Sequence, residues 1–151
     1  MQKLTKQAAF LRLSSLCSRQ EKCTADIQKK TRQWGLSATD TEEVVQQLRE
    51  EGYINDERYA RAFARDKFRF NKWGRIRIEY ELRMRRIPTG VIQQALAEID
   101  ETGYTEMIKS EITKKQESLK KETGIQKKAK IIRFAEQRGY EQDLIREILE
   151  K

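Results

Sequence analysis

Histidine is absent from this 151-residue chain. Its absence removes the commonest general base, the histidine-assisted serine and cysteine nucleophiles, and the commonest zinc ligand. The sequence also contains no glycine-rich phosphate loop and no other recognisable catalytic constellation. We therefore expect a protein that is not an enzyme, with no catalytic residue, no bound metal and no cofactor.

Cysteine and long apolar runs are scarce as well. Cys17 and Cys23 are six residues apart, too few for a disulfide framework, and we predict that both are small buried hydrophobic side chains. No apolar run approaches the roughly eighteen residues that a membrane span needs. Residues 1–6 do not lead into a signal-peptide core. These absences favour a cytoplasmic protein with no membrane partner.

Helix breakers are also few, with one proline and seven glycines. The abundant Gln, Glu, Lys, Arg, Leu, Ile and Ala residues favour helix almost everywhere. A hydrophobic share of 37% is low for one compact globule, and a charged share of 37% is high. An elongated all-α protein would have both properties.

Self-comparison of the sequence indicates internal repeats. Cys23 and Ile27 fall onto Gly74 and Ile78 at a constant offset of 51, and a second offset of 53 carries Ile78 onto Ile131. We predict three tandem three-helix repeats that form an elongated, curved array, and we expect the chain to be a monomer. The predicted units are residues 1–54, 55–102 and 103–151.

Helix signals within each unit predict nine helices. Asp56 is expected to cap the first helix of the second unit. Tyr59, Phe63 and Phe70 recur at helical spacing and are expected in the core. Thr31 and Thr41 replace apolar residues of the other copies, which predicts the loosest core in the first unit. The predicted helices cover about 4–17, 24–34, 40–51, 56–70, 75–86, 89–100, 104–119, 126–137 and 142–150.

The positive charge is concentrated in the second unit. Between Arg58 and Arg86 there are eleven Lys or Arg residues and three acidic ones, so this segment alone accounts for the protein's net charge of +8. An anionic partner is therefore expected there. Four arginines of the first helix, at positions 58, 61, 65 and 69, would share one stripe with only Asp66 nearby, and their mutual repulsion favours contact with phosphates or acidic side chains.

The alternative explanation of the arginines is structural. Arg58 could pair with Asp56 or Glu57, and the arginines that alternate with Glu79 and Glu81 could form solvated ion pairs of little energy. Phe68 and Trp73 could either pack in the core or stack on single-stranded nucleic acid. The candidate binding residues are Arg58, Arg61, Arg65, Arg69, Lys72, Arg75, Arg77, Arg83, Arg85 and Arg86.

Four segments, in order and spacing, resemble the RecX proteins, bacterial regulators of the RecA recombinase. The resemblance runs from about residue 8 to the end. It departs from the family where relatives often show Lys-Gly, since this chain has Arg85-Arg86 and thus a higher local charge. The similar segments are Cys17–Cys23 leading to Ile27, Gly52–Ala60, the set Gly74, Ile78, Glu81, Leu82 and Ile87, and Arg133–Tyr140 with Ile145.

The resemblance implies tandem three-helix repeats and a non-enzymatic modulator that binds along the groove of the RecA–DNA filament. Such a protein would restrain filament growth and the filament's ATPase, strand-exchange and coprotease activities in DNA repair and the SOS response. Its partners would be the RecA filament and single-stranded or double-stranded DNA. The basic stripe would contact either acidic surface on RecA or phosphates of the enclosed DNA.

Other functions fit the residues less fully. One is a helical protein that binds nucleic acid without sequence preference and without RecA, with the stripe neutralising phosphates. Another is a structural adaptor, in which reversing the charge of the stripe would change nothing. A helix-turn-helix transcription factor is disfavoured because no single helix combines base-reading side chains at its start with an evident dimer surface.

Overall fold

The computed structural model describes residues 4–150 and, within them, contains nine α-helices and no strand. This confirms the all-α prediction. No helix in the described part of the chain is both long enough and apolar enough to cross a bilayer. The helices are α1 (Lys6–Arg19), α2 (Thr24–Gln33), α3 (Ala38–Glu50), α4 (Asp56–Asn71), α5 (Arg75–Met84), α6 (Thr89–Ala97), α7 (Glu101–Ser118), α8 (Gly124–Arg138) and α9 (Gln142–Glu150).

The nine helices form three units of three, here called unit 1 (α1–α3), unit 2 (α4–α6) and unit 3 (α7–α9). In each unit the third helix packs against both the first and the second. The accessible surface is 9871 Å², against roughly 8,000 Å² for a compact monomer of this mass. The larger surface fits an elongated body. The curvature and the unit boundaries at 54/55 and 102/103 stay predictions.

Polar caps explain where the structure departs from the predicted cap of α4 and from the predicted starts of α3 and α7. The Asn55 side chain accepts the N–H of Arg58 at 2.9 Å, so Asn55 is the N-cap of α4 and the prediction for Asp56 was wrong. Ser37 accepts the N–H of Asp40 at 3.1 Å and starts α3 at Ala38. Asp100 in the same way starts α7 at Glu101 rather than at 104. In each case a good capping residue stands one or more positions before the predicted start.

Unit 1 has a core of its own, built by Leu13, Cys17, Ile27, Val44, Val45, Leu48 and Ile54. The threonine that replaces an apolar residue there, Thr31, is fully buried. Its hydroxyl donates to the Gln28 carbonyl at 3.0 Å and accepts from the Thr41 hydroxyl at 2.9 Å. The buried polar atoms are therefore satisfied, which removes most of the cost of placing them in the core.

Units 2 and 3 share a second core. Its members include Ile78, Leu82, Ile92, Tyr104, Ile108, Ile112, Ile131 and Tyr140, together with Cys23 from unit 1. Both cysteines are buried free thiols, as predicted, and burial raises the pKa of Cys23 to about 11. They do not lie on one helix, since Cys23 directly precedes α2.

The aromatic stripe predicted on α4 is only partly correct. Tyr59 is buried and Phe63 packs partly buried against the same core. Phe70 is 77% exposed, so its assignment to the core was wrong. The last turn of α4 lies against unit 3, where Phe68 packs on Tyr104 with ring centroids 6.1 Å apart. Because Phe68 takes the core position there, Phe70 is turned to solvent.

Units 2 and 3 meet through backbone atoms at the start of α5. The Gly74 N–H donates to the Arg138 carbonyl at 2.7 Å, and the Ile76 N–H donates to the Gly139 carbonyl at 3.0 Å. A Cβ atom on Gly74 would lie 2.2 Å from the Gly139 oxygen. Only glycine fits this contact without moving one unit away from the other.

We predict that Gly74→Ala lowers the free energy of unfolding by roughly 1–3 kcal/mol, because the added methyl group forces units 2 and 3 apart. Urea denaturation followed by far-UV circular dichroism measures this change. Gly90→Ala is the matched control, since a Cβ atom there meets nothing within 4 Å, and in a helix it should leave stability unchanged or raise it by up to about 1 kcal/mol. Equal effects of the two substitutions would contradict the account of the junction.

Candidate nucleic-acid interface

The first helix of unit 2 carries an exposed row of cations. The start of helix α4 is stabilised by Asn55, which caps it, and by Asp56 and Glu57 in its first turn, where acidic side chains are favourable. Arg61, Arg65 and Arg69 follow at steps of four residues, so they share one side of the helix and rise by about 6 Å per step. All three are exposed. We call Arg61, Arg65, Arg69 and Lys72 the α4 basic face.

The α4 basic face is almost unpaired. Among residues 4–150 the only ion pair that involves it joins Arg65 to the adjacent Asp66 at 3.4 Å, and both side chains are more than half exposed. Such a pair contributes little to stability because water screens it. Lys72 ends the row in the left-handed conformation with φ 58°. These cations are thus accessible to an anion from outside.

Arg58 has a structural role that the sequence did not predict. Its Nε donates to both carboxylate oxygens of Glu21, at 2.8 and 2.9 Å, and its Nη2 donates to the carbonyls of Gly52 and Tyr53. The suggested pairing with Asp56 or Glu57 was wrong. The Asp56 carboxylate instead accepts the N–H of Thr24 at 2.9 Å. Arg58 therefore ties α4 to the segment that precedes α2.

Arg75 lies at the junction of units 2 and 3. It pairs with Glu141 at 2.9 Å and with Glu101, and its guanidinium stacks 4.0 Å from the centre of the Tyr104 ring. Burial alone would lower the pKa of Arg75, but the hydrogen bonds to Glu141 and Glu101 outweigh burial and raise it. The Arg75 N–H also donates to the Tyr104 hydroxyl at 2.9 Å. Arg75 therefore stabilises the packing of unit 2 against unit 3.

Arg77 contributes to the same junction by other contacts. Its guanidinium lies 4.1 Å from the centre of the Trp73 ring and donates to the Gln137 carbonyl at 3.2 Å. Lys67 covers the Trp73 ring as well, at 4.9 Å. Trp73 therefore packs between cations and the shared core. These contacts support the packing explanation of Trp73 over the base-stacking one.

Two further candidates form the intrahelical ion pairs that the alternative explanation proposed. Arg83 pairs with Glu79 at 3.4 Å, and Arg85 pairs with Glu81 at 3.0 Å. Burial would lower the pKa of Arg85, but its bond to Glu81 and its contact with Tyr59 raise it on balance. Arg86 differs from both. It is exposed, forms no ion pair among the described residues, and takes the left-handed conformation with φ 58°.

Two grooves border the α4 basic face, and each adds cations from another unit. The first, of about 680 Å³, lies between units 1 and 2, and Lys29 and Lys30 of α2 line it together with Arg65. The second, of about 400 Å³, is lined by Arg69 and Lys72 of α4 and by residues of α7. In the second groove Glu106 and Glu111 offset part of the positive charge. The first groove is lined by six cations and by Glu21, Asp26 and Asp66, a net charge of +3 against +1 in the second, so it is the more basic of the two.

Lys29 and Lys30 were not among the predicted binding residues. They are adjacent in a helix of unit 1, where basic and acidic residues otherwise balance. The fold alone brings them to Arg65, which is more than thirty positions away in the sequence. Both lysines are exposed. No local sequence pattern marks residues so far apart in the chain as the lining of one groove.

Two stretches of the chain match known domain families. Residues 55–96 match the description RecX, second three-helix domain, and residues 103–149 match RecX, third three-helix domain. The chain belongs to the RecX family. The regulatory protein RecX of Trichlorobacter lovleyi is 29% identical over 145 residues, which cover 95% of this chain and 92% of the relative. The name of this relative describes it as a regulatory protein.

A longer RecX relative and two solved RecX structures are also similar. The regulatory protein RecX of Bacillus cereus strain AH820 is 29% identical over 96% of this chain, but this chain spans only 54% of that relative. A crystal structure of a regulatory protein RecX superimposes with a TM-score of 0.86 at 20% identity, covering 97% of this chain and 72% of the other. RecX from Lactobacillus salivarius gives 0.83 at 19% identity, covering 96% and 94%. Both structures share the all-α fold of this chain.

We predict that Arg58→Ala lowers the free energy of unfolding by roughly 1–3 kcal/mol, because it leaves Glu21 and two carbonyl groups without their charged donor. Arg61→Ala should change it by less than about 0.5 kcal/mol, since Arg61 is exposed and unpaired in residues 4–150. Thermal and urea unfolding of both variants measures the difference. Equal losses would mean that Arg61 is as structural as Arg58.

Proposed function

We propose that this RecX-family chain is a non-enzymatic regulator that binds the RecA–DNA filament and restrains its ATPase, strand-exchange and coprotease activities. It acts in the cytoplasm, in DNA repair and the SOS response. The observation that carries the proposal is the α4 basic face on a member of this family. Its like charges repel one another at every step of four residues and gain almost no ion pair within residues 4–150 in return.

The phosphates of the filament's DNA are the anions that best fit the α4 basic face. Exposed guanidinium groups form charge-assisted hydrogen bonds to phosphate and release its counterions. The row of Arg61, Arg65 and Arg69 extends over about 12 Å of helix. Lys29 and Lys30 widen it across the first groove. A strand of DNA therefore meets cations from two units.

The repeat architecture supports binding to a filament rather than to a single molecule. Three units in a row can contact neighbouring RecA protomers at once. Contacts that are weak one by one then add through effective concentration, which favours an assembled filament over free protomers. Binding along the filament in this way would hinder the addition of protomers and the cycle of ATP hydrolysis.

The second candidate function is nucleic-acid binding that neither requires RecA nor reads sequence. The observation in its favour is that Arg61, Arg65, Arg69 and Lys72 need only phosphates as partners. This function predicts equal affinity for naked and RecA-coated DNA. The filament regulator instead predicts a clear preference for the coated form.

The test is the single-strand-dependent ATPase of RecA, titrated with the wild-type protein and with Arg65→Glu/Arg69→Glu. We predict inhibition at well below one molecule per RecA protomer. The double variant should need at least about tenfold more protein for the same inhibition, because two phosphate contacts become repulsive. Circular dichroism should show that the variant keeps the helical fold.

The matched control is Arg133→Glu/Arg146→Glu, which reverses two exposed arginines of unit 3 that form no ion pair in residues 4–150. It removes the same positive charge from the molecule as the first variant. Wild-type inhibition by the control would show that position matters and not net charge. Absence of inhibition by the wild-type protein at equimolar amounts would overturn the proposed function.

A further inference from the structure

Helix α5 has an apolar stripe on its solvent side. Ile76, Tyr80 and Met84 are 51%, 59% and 64% exposed. They follow at steps of four residues and therefore share one side of the helix, while Ile78 and Leu82 on another side enter the core. We call Ile76, Tyr80 and Met84 the α5 outer stripe. Three large hydrophobic side chains in one row are unusual on a free surface.

The repeats provide an internal comparison that makes the stripe specific to unit 2. The same offsets place Ala25, Lys29 and Gln33 at the equivalent positions of α2. In α8 the equivalent positions hold Ala129, Arg133 and Gln137. No large hydrophobic residue occurs in either set. The three-helix unit thus folds without an apolar outer stripe, and packing within the unit does not explain Ile76, Tyr80 and Met84.

The charge around the stripe points to an acidic partner. Of the five arginines in residues 75–86, Arg75 and Arg77 are engaged at the junction of units 2 and 3. Arg83 and Arg85 pair with the two glutamates of the segment. Glu79 accepts from Arg83 at 3.4 Å and from Gln93 at 2.9 Å, and Glu81 is held by Arg85. Both acids are therefore engaged, whereas Arg86 has no ion pair in the described residues. A surface that complements this one is apolar at its centre and acidic at its rim.

A protein fits that description and a nucleic acid does not. Isoleucine and methionine side chains gain free energy by burial against other aliphatic and aromatic side chains. Tyrosine and methionine at the centre of a contact, with arginine at the rim, are also typical of protein interfaces. The stripe and the α4 basic face thus differ in the chemistry of what they bind.

We propose that the α5 outer stripe is a docking surface for an apolar, acid-rimmed patch of a partner protein, and that it works beside the α4 basic face, which takes nucleic acid. The inference rests on the proposed function, so the partner is the recombinase protomer of the filament. Unit 2 then contacts protein and DNA at the same time. Such double contact favours coated DNA over either component alone.

The experiment compares binding of fluorescently labelled protein to a RecA filament on a single-stranded oligonucleotide and to the same oligonucleotide without RecA. The test variant is Ile76→Ser/Tyr80→Ser/Met84→Ser. Leu11→Ser/Ile125→Ser is the control, since these side chains are 67% and 88% exposed and lie on other helices. Because all five residues are exposed, neither variant should lose the fold, and thermal unfolding verifies this.

We expect the stripe variant to bind the filament at least about tenfold more weakly, as the loss of central apolar anchors does in other interfaces. Its affinity for the naked oligonucleotide and both affinities of the control should stay within about twofold of wild type, since the phosphate contacts are intact. Unchanged filament binding by the stripe variant would overturn the inference and leave the proposed function standing. Equal losses on naked DNA would also overturn it, because the stripe would then contact nucleic acid.

Two further outcomes separate other occupants from this one. If sedimentation shows a wild-type dimer that the stripe variant abolishes, a second copy of this chain covers the stripe and the inference is wrong. If the wild-type protein binds naked and coated DNA equally well, the proposed function fails, and the assignment of a recombinase partner to the stripe fails with it. The first outcome leaves the wild-type preference for coated DNA in place, and the second removes that preference, so the two failures are distinguishable.

Discussion

Much of this structure depends on the N–H groups at the start of α5, which have no acceptor within their own helix. The first N–H groups of any helix have no acceptor within the helix and need one elsewhere. Here the Gly74 and Ile76 N–H groups find the last carbonyls of α8, which are unpaired for the same reason, and the Arg75 N–H finds the Tyr104 hydroxyl. One contact thus satisfies the ends of two helices. It requires glycine at 74, and it holds unit 3 against unit 2.

This junction also decides which cations are available. Arg75 and Arg77 stabilise it through Glu141, Tyr104, Trp73 and the Gln137 carbonyl. A related contact joins units 1 and 2, where Asp56 accepts the Thr24 N–H and Arg58 binds Glu21. Apart from Arg83 and Arg85, which pair with glutamates of the same segment, and Arg86, the arginines of this stretch form two groups in space. One group holds the units together, and the other is exposed on α4.

The helices and the repeats were predictable because they depend on residues close in sequence. The offsets of 51 and 53 equal the spacing between the first residues of α3, α6 and α9. The same offsets align Ile27, Ile78 and Ile131, and the structure buries all three. The role of Arg58 was not predictable, since its partner Glu21 lies 37 positions away. Phe70 fits the helical period of α4, but it is Phe68 that packs against Tyr104 of unit 3, and Phe70 is exposed. Contacts between units determine the partner of Arg58 and the exposure of Phe70, and a local sequence pattern does not predict such contacts.

Unit 2 combines two proposed chemistries, phosphate binding by α4 and protein docking by α5. Exposed apolar and exposed basic side chains on one small unit suit a target that is itself a protein–DNA composite. Units 1 and 3 lack the apolar stripe, although unit 1 adds Lys29 and Lys30 to the basic surface. In the proposed complex, unit 2 is therefore the central contact, and the flanking units extend it along the target.

Site-directed photo-crosslinking tests this division most directly. Asp66→Cys beside Arg65 and Met84→Cys on α5 would each carry a photoreactive maleimide, and Cys17 and Cys23 are buried and should not react. Each labelled protein is bound to RecA filaments on labelled single-stranded DNA and irradiated. We predict adducts with DNA from position 66 and with RecA from position 84. Adducts with RecA alone from position 66, or with DNA from position 84, would contradict the account.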